Sequence, residues 1–167
     1  MGTTETETAR EVVAEYFDAL SAHDLDRAVA TWKPGGVDHI FGFGDLVAPD
    51  GIREYFAGLF AAVPDYRLDI RSTVAEGNQV AVHWHVDGTF DGTERFQGLA
   101  PNGRSFHLEG CDLLTVADGK IVSNQAYTNE MELARQIGTM PPKDSPQERA
   151  MTAALNAKTA LEKRLRG

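Results

Sequence analysis

Residues 118–129 read DGKIVSNQAYTN, and residues 136–138 read QIG. The Asp-Gly pair that opens the first stretch is typical of a tight turn between antiparallel strands, because both residue types tolerate positive φ angles. The alternation that follows predicts a strand over residues 120–128. A short helical pattern then ends at Gly138, a residue suited to the left-handed conformation just past a helix. The stretch therefore indicates a turn, a last strand and a closing helix.

Upstream of this stretch, two periodicities divide the chain. Alternation and turn signals predict strands over residues 66–75, 79–90, 104–116 and 120–128, with an irregular edge piece near 93–98. Before them, apolar residues recur at spacings of three and four. This pattern predicts three helices: one ending near His23, one from Leu25 to Trp32 that is broken by residues 33–36, and one from Asp50 to Val63. Helices followed by antiparallel strands indicate an α+β fold, with three N-terminal helices packed on the concave face of a curved antiparallel sheet.

The composition changes after residue 140, so we expect one domain over residues 1–140 and a helical arm over 141–167. Ser145-Pro146 and Glu148 have the spacing of a helix start with a capping box. The arm is amphipathic, and its apolar stripe must pack either on its own sheet or on a partner subunit. We favour the partner.

Charge and composition exclude several classes of protein. The formal net charge of −9 argues against a nucleic-acid surface, and no apolar run approaches the roughly 20 residues needed to span a membrane. The single cysteine, Cys111, cannot form an internal disulfide. A cytoplasmic protein is therefore expected.

Seven short motifs along residues 9–138 resemble one family. In their order and spacing, the chain resembles the SnoaL-like polyketide cyclases of the nuclear transport factor 2-like superfamily. The motifs are Trp32-Lys33-Pro34, Ala48-Pro49-Asp50-Gly51, Val63-Pro64-Asp65, Asp87-Gly88-Thr89, Pro101-Asn102-Gly103, Asp118-Gly119-Lys120-Ile121 and Arg135-Gln136-Ile137-Gly138. The resemblance implies a cone-shaped domain with a blind apolar pocket, a small hydrophobic ligand and catalysis without a cofactor.

The resemblance also implies where the polar groups of the pocket lie. The catalytic aspartate of the cyclases falls at Ala126 here, which cannot take or give a proton. Their histidine falls at Asp112, their glutamine at Gly110 and their asparagine at Asp38. The polar set of the family is thus replaced at these positions.

Strand alternation independently selects Asp112. On the strand over residues 104–116 it is the one ionisable residue in an otherwise apolar row. Burial in such a row raises the pKa of a carboxyl group toward neutrality, where it can serve as a general acid or base. An aspartate satisfied by nearby donors is the alternative. On the last strand, Asn124 is the strongly polar residue of the inward parity.

Asp38 and His39 follow the predicted break at residues 33–36, so we expect them near the mouth of the pocket. There they could assist Asp112 in catalysis, because a histidine beside carboxylates holds its proton firmly. Exposure of both residues in a loop is the alternative.

Aromatic residues supply most of the expected ligand contacts, although core packing is their usual role. The glycine-rich segment Phe41-Gly42-Phe43-Gly44-Asp45 could be a lid or simply a turn. The predicted substrate-binding residues are Tyr16, Trp32, Phe56, Phe60, Trp84, Gly110 and Asn124.

His83, His85, His107 and Glu109 share the opposite parity of two neighbouring strands. They could form a metal site, because three imidazole or carboxylate ligands plus water are a common catalytic set. The competing interpretation, which we favour, is an outer sheet face that forms a homodimer together with the C-terminal helix.

The leading hypothesis is a SnoaL-like enzyme of cyclase, isomerase or hydrolase type that needs no cofactor. Asp112 would move a proton on a hydrophobic, carbonyl-bearing or polyketide-like ligand. The alternatives are a non-catalytic binding or dimerisation module, which Ala126 favours, and a metal enzyme built on the histidines.

Overall fold

The computed structural model of the chain describes residues 2–166. Two helices come first, α1 (Gly2–Ser21) and α2 (Leu25–Ala30), followed by strands β1 (Trp32–Ile40) and β2 (Gly44–Val47) and helix α3 (Asp50–Ala62). Strands β3 (Arg67–Glu76), β4 (Gln79–Phe90), β5 (Arg104–Ala117) and β6 (Lys120–Thr128) come next. Helices α4 (Glu130–Ile137) and α5 (Pro146–Arg166) end the described chain.

The six strands form one sheet in the order β2-β1-β6-β5-β4-β3. The α+β class is confirmed, and the four long strands of the meander lie within a residue or so of their predicted bounds. The sheet is mixed rather than wholly antiparallel, because β1 runs parallel to β6. Strands β1 and β2 were not predicted from the sequence.

The predicted extension of the second helix to Trp32 is wrong. Helix α2 ends at Ala30, and Trp32 already pairs with Ile121 of β6. The glycines that suggested a helix break lie in an irregular part of β1, where the register shifts between Trp32 and Val37. A Cβ on Gly36 would lie 3.1 Å from the Ile121 carbonyl oxygen, so glycine permits the close approach of the two strands.

The irregular edge piece predicted near residues 93–98 does not join the sheet. Only an isolated bridge between Phe96 and Leu99 forms there. The chain just before it is tied to the end of α3, because Gly92 and Thr93 donate backbone hydrogen bonds to the carbonyls of Ala62 and Ala61. The segment therefore borders α3 instead of extending the sheet.

The core lies between α1 and the inward faces of β3 to β6, which α1 contacts in turn. Tyr16 on α1, Val80 on β4 and Leu114 on β5 are each at most 1% exposed. Helix α3 lies beside β2 and α2, so it forms a second wall, apart from α1, over the inward face of the sheet. This arrangement leaves room for a pocket between helices and sheet.

The two C-terminal helices begin and end on the predicted signals. Gly138 closes α4 with a left-handed φ of 85°, and the Ser145 hydroxyl accepts a hydrogen bond from the Glu148 amide at 3.1 Å. Arg135 on α4 forms a salt bridge of 2.6 Å with Glu148 at the start of α5. From Arg149 onward every described residue of α5 is exposed, so the arm does not pack on its own sheet. Within residues 2–166 no helix is both long and apolar enough to cross a membrane.

The alternation on β5 can be tested with two neighbouring leucines. Leu114 is fully buried, whereas Leu113 is 36% exposed on the other face. Leu114→Ala should lower the free energy of unfolding by about 2–5 kcal/mol, because it leaves a cavity in the core. Leu113→Ala should cost about 1 kcal/mol or less. Urea denaturation measures both, and equal losses would contradict the assigned faces of β5.

Candidate active site

A cavity of about 280 Å³ lies between the sheet and the helices α1, α3 and α4. Its wall is mostly aromatic and aliphatic, as expected of a pocket for an apolar ligand. Among the described residues that line it, none is basic. The principal aromatic residues of the wall are Tyr16, Tyr55, Phe56, Tyr66, Trp84 and Phe106.

Two carboxyl groups of the cavity wall, those of Asp38 and Asp112, are joined by one amide behind the wall. Asp38 on β1 stands opposite Asn124 on β6, and Asp112 lies on the next strand, β5. The Asn124 side-chain nitrogen donates to Asp38 Oδ1 at 3.0 Å and to Asp112 Oδ2 at 2.8 Å. The Trp84 indole nitrogen donates to Asp112 Oδ1 at 2.8 Å. We call Asp38 and Asp112 the aspartate pair.

The aspartate pair is almost completely buried, with Asp38 2% and Asp112 6% exposed. Burial, and then the charge of Asp112, raise the pKa of Asp38 to about 7, against a smaller opposing effect of the Asn124 hydrogen bond. Burial raises the pKa of Asp112 to about 6, while the hydrogen bonds from Trp84 and Asn124 oppose it. Asp112, with two donors, is therefore the more easily ionised, and near neutral pH the pair holds about one proton.

Both aspartates line the cavity and remain accessible to a ligand. Asn124 uses one oxygen of Asp38, and no described residue donates to the other oxygen, Oδ2. At the wall of a largely apolar cavity, a carboxyl oxygen without a donor is costly unless it carries a proton or contacts a ligand. This oxygen is therefore a free polar contact in a largely apolar wall.

Ala126 lies between Ile40 and Asp112 in the sheet register and lines the same cavity. Its methyl group leaves the space beside Asp112 open. The proton-transferring group expected on β6 is thus absent, and a carboxyl group on β5 borders the space instead.

The predicted ligand-binding residues divide into two groups. Tyr16, Phe56 and Trp84 line the cavity, as do both aspartates. Trp32, Phe60, Gly110 and Asn124 do not line it and form a supporting layer.

Each member of this layer supports a lining residue or a neighbour. Trp32 packs edge-on against Tyr16 at 5.6 Å between ring centroids, and Phe60 stacks on His23 at 4.1 Å. A Cβ on Gly110 would lie 2.2 Å from the Trp84 ring, so glycine makes room for the indole that donates to Asp112.

The expectation for His39 is wrong. Because Asp38 and His39 belong to a strand and not to a loop, their side chains point to opposite sides of the sheet. Asp38 is buried in the cavity, whereas the His39 side chain is 43% exposed and forms a pair with Asp45 of β2 across the hairpin. His39 therefore cannot assist Asp112.

The three histidines of the possible metal site, His83, His85 and His107, lie on the outer face of the sheet. His83 pairs with Glu109 at 3.3 Å and His85 with Asp87 at 3.1 Å. His107 lies 3.6 Å from the second oxygen of Asp87. In the part of the chain that the structure describes, no group of three His, Cys, Asp or Glu side chains is arranged to hold a metal ion.

Sequence reasoning missed several residues of the cavity wall. Tyr55 shares the predicted apolar face of α3, so helical periodicity could have indicated it. Phe43 packs at a tilt against Tyr55, with 4.9 Å between ring centroids, and lines the cavity, so the glycine-rich segment does border the pocket. Phe96 reaches Tyr55 at 5.4 Å from an irregular loop that carries no periodic signal.

Comparisons with known proteins agree with this architecture. The structure resembles that of AclR, a proposed hydroxylase from Streptomyces galilaeus, with a TM-score of 0.71 and 25% identity over 97% of this chain and 99% of that one. It also resembles a proposed SnoaL-like polyketide cyclase from Jannaschia sp. CCS1, with a TM-score of 0.73 and 22% identity over 82% and 96% of the two chains. IdmH, a proposed polyketide cyclase from Streptomyces antibioticus, has a TM-score of 0.65 and 25% identity over 78% and 98%.

No curated protein sequence matches the chain. The sequence model of one family does match, however, over residues 10–137, which is most of the chain and includes both aspartates. The chain belongs to the SnoaL-like polyketide cyclase family.

Proposed function

We propose that the chain is an enzyme that needs no cofactor and that transfers a proton on a hydrophobic, carbonyl-bearing ligand of polyketide type. The observation that carries this proposal is the aspartate pair, joined by Asn124 and open to an apolar cavity. A carboxyl pair that holds one proton near neutrality provides a base and an acid in the same site.

The two aspartates take different roles in this mechanism. Ionised Asp112 removes a proton from the carbon next to the ligand carbonyl, and the electron pair of the C–H bond moves toward the carbonyl oxygen. Asp38, which binds its proton more firmly, polarises that oxygen through its free Oδ2. Asp112 then returns the proton at another atom, which completes an isomerisation or accompanies ring closure.

The charges of the cavity restrict the ligand. The acidic residues Asp38, Asp112 and Glu130 line it without any described basic residue, so ligands that carry a carboxylate are disfavoured. The volume of about 280 Å³ is at the lower end for small-molecule pockets, which favours a compact ligand. The polyketide cyclases among the structural relatives support a carbonyl-bearing ligand of this kind.

A non-catalytic binding module of the same fold is the alternative, and Ala126 favours it. The two proposals differ in what Asp112 does. A binding module needs only the shape of the cavity, whereas the enzyme needs an ionisable group at residue 112.

Asp112→Asn should abolish most proton transfer with little loss of binding. Acetyltetralone, a two-ring β-diketone, is a suitable probe, and proton NMR in D2O reports the exchange of its acidic C–H. The variant should lose about 100-fold or more in kcat, because asparagine cannot accept the proton, while KM changes little.

Glu109→Gln is the matched control, since Glu109 lies on the outer face of the same strand. It should retain the exchange rate of the wild type. If Asp112→Asn exchanges the proton at the wild-type rate, Asp112 is not the base, and the binding module remains as the proposed function.

The raised pKa of Asp38 predicts how stability depends on pH. Between its ordinary value of 3.8 and about 7, folded Asp38 keeps a proton that the unfolded chain releases. The unfolding free energy of the wild type therefore falls as pH rises through this window. Asp38→Asn removes the contribution, so its stability relative to wild type should increase by roughly 2 kcal/mol from pH 5 to pH 8.

Chemical denaturation at several pH values measures this difference. Asp91→Asn, at an exposed aspartate, is the control and should show no such trend. A difference between Asp38→Asn and wild type that does not change with pH would contradict the proposed proton on Asp38.

We also propose that two copies of the chain associate through the outer sheet face and α5, and that the protein acts in the cytoplasm, where Cys111 remains a free thiol. Helix α5 carries five basic and two acidic side chains, whereas the whole chain has a net charge of −9, so the arm is basic and the rest strongly acidic. Exposed apolar residues occur on both surfaces. They are Met151, Leu155, Leu161 and Leu165 on α5 and Val74, Leu113 and Tyr127 on the sheet.

Light scattering during gel filtration tests the association. The full chain should elute at twice its mass of 18.2 kDa. Lysine at both Leu155 and Leu161 should give a monomer, because it removes the apolar stripe. Asn156→Lys, which adds a charge outside the stripe, should remain a dimer. A wild-type chain that stays monomeric at about 100 μM would contradict the proposal.

A further inference from the structure

Tyr16 is held rigidly at the wall of the cavity. It projects from α1 and is 1% exposed. The ring of Phe17 packs edge-on against it at 5.5 Å between centroids, and Trp32 does so at 5.6 Å. The ring cannot turn without displacing two buried aromatic neighbours, so the position of its hydroxyl is set by the core.

The Tyr16 hydroxyl has no acceptor among the described residues. Buried tyrosine hydroxyls normally find a hydrogen-bond partner, and Tyr127 at the surface donates to Gln125 at 3.0 Å. The nearby Trp32 indole N–H lowers the pKa of Tyr16, but its position does not satisfy the geometry of a hydrogen bond. A hydroxyl without an acceptor, on a side chain that lines a cavity, is suited to an oxygen atom of a ligand.

The aspartate pair lies close enough to act on Tyr16 electrostatically. Burial, and then the charges of Asp38 and Asp112, raise the pKa of Tyr16 well above its ordinary value. Tyr16 thus keeps its proton throughout the physiological range and can only donate a hydrogen bond. It lines the same cavity as the two aspartates that we assign to proton transfer.

We propose that Tyr16 is a catalytic residue whose hydroxyl donates a hydrogen bond to the carbonyl oxygen of the ligand. The inference rests on the proposed function. As Asp112 removes the proton from carbon, the electron pair of the C–H bond moves into the enolate. The Tyr16 O–H and the protonated Asp38 donate hydrogen bonds to the oxygen on which the negative charge develops. Tyr16 retains its proton, and the proton on Asp112 later returns to the ligand. Fixed donors aimed at a developing oxyanion are among the largest contributions to catalysis.

Tyr16→Phe removes the donor and keeps the ring. With acetyltetralone it should lower kcat for deuterium exchange about 100-fold and leave KM within about threefold, because the donor acts mainly on the developing charge. Tyr127→Phe, the same substitution outside the cavity, is the matched control and should exchange at the rate of the wild type. A loss in kcat smaller than threefold in Tyr16→Phe would overturn the proposal while the proposed function stands.

A binding measurement decides the role of Tyr16 independently of turnover. Naphthol and methylnaphthalene have the same size, but only naphthol offers an oxygen, and quenching of tryptophan fluorescence reports the binding of either. Tyr16→Phe should weaken naphthol about threefold and leave methylnaphthalene unchanged, since one hydrogen bond between neutral groups is lost. Equal changes for both ligands, or no binding of naphthol to the wild type, overturn the proposal. If the wild type binds naphthol but does not exchange acetyltetralone, the proposed function fails, and a selective loss of naphthol in Tyr16→Phe still supports the donor.

Discussion

Two carboxyl groups buried in one apolar cavity constrain the rest of this structure. A single carboxylate without partners is costly at such depth, and two close together raise each other's pKa further. Here one amide serves both groups, because the two hydrogens of the Asn124 nitrogen go to different aspartates. The pair is thereby held as a unit that carries about one proton near neutrality, which is the state that acid and base chemistry requires.

The sheet supplies the geometry that this unit needs. The parallel pairing of β1 with β6 sets Asp38 opposite Asn124, and the antiparallel pairing of β6 with β5 brings Asp112 within reach of the same amide. A fourth strand, β4, adds the Trp84 donor, whose indole fits only because residue 110 is glycine. The site therefore depends on four strands and cannot form from any one hairpin alone.

This dependence explains which parts could be read from the sequence. Turn signals set the register of the meander, and alternation then placed Asp112 in the apolar row where it is found. The β1–β6 pairing joins residues far apart in the chain and has no local signal, so β1 was read as a helix end and a loop. Asp38 was consequently assigned to the pocket without its strand, and its neighbour His39 was assigned to the wrong side. The bridging role of Asn124 follows from packing between three strands, which no motif encodes.

The aspartate pair gives a physical reason for an alanine at position 126. In the register of the sheet it lies directly opposite both Ile40 and Asp112. A carboxyl group at residue 126 would face Asp112 across the ladder and would place a third buried acid beside the pair, where like charges oppose ionisation. With Asp38 and Asp112 in place, a small apolar residue at 126 keeps Asp112 easier to ionise and leaves space beside it for a ligand. The absence of an acid on β6 and the presence of one on β5 thus follow from the same electrostatic constraint.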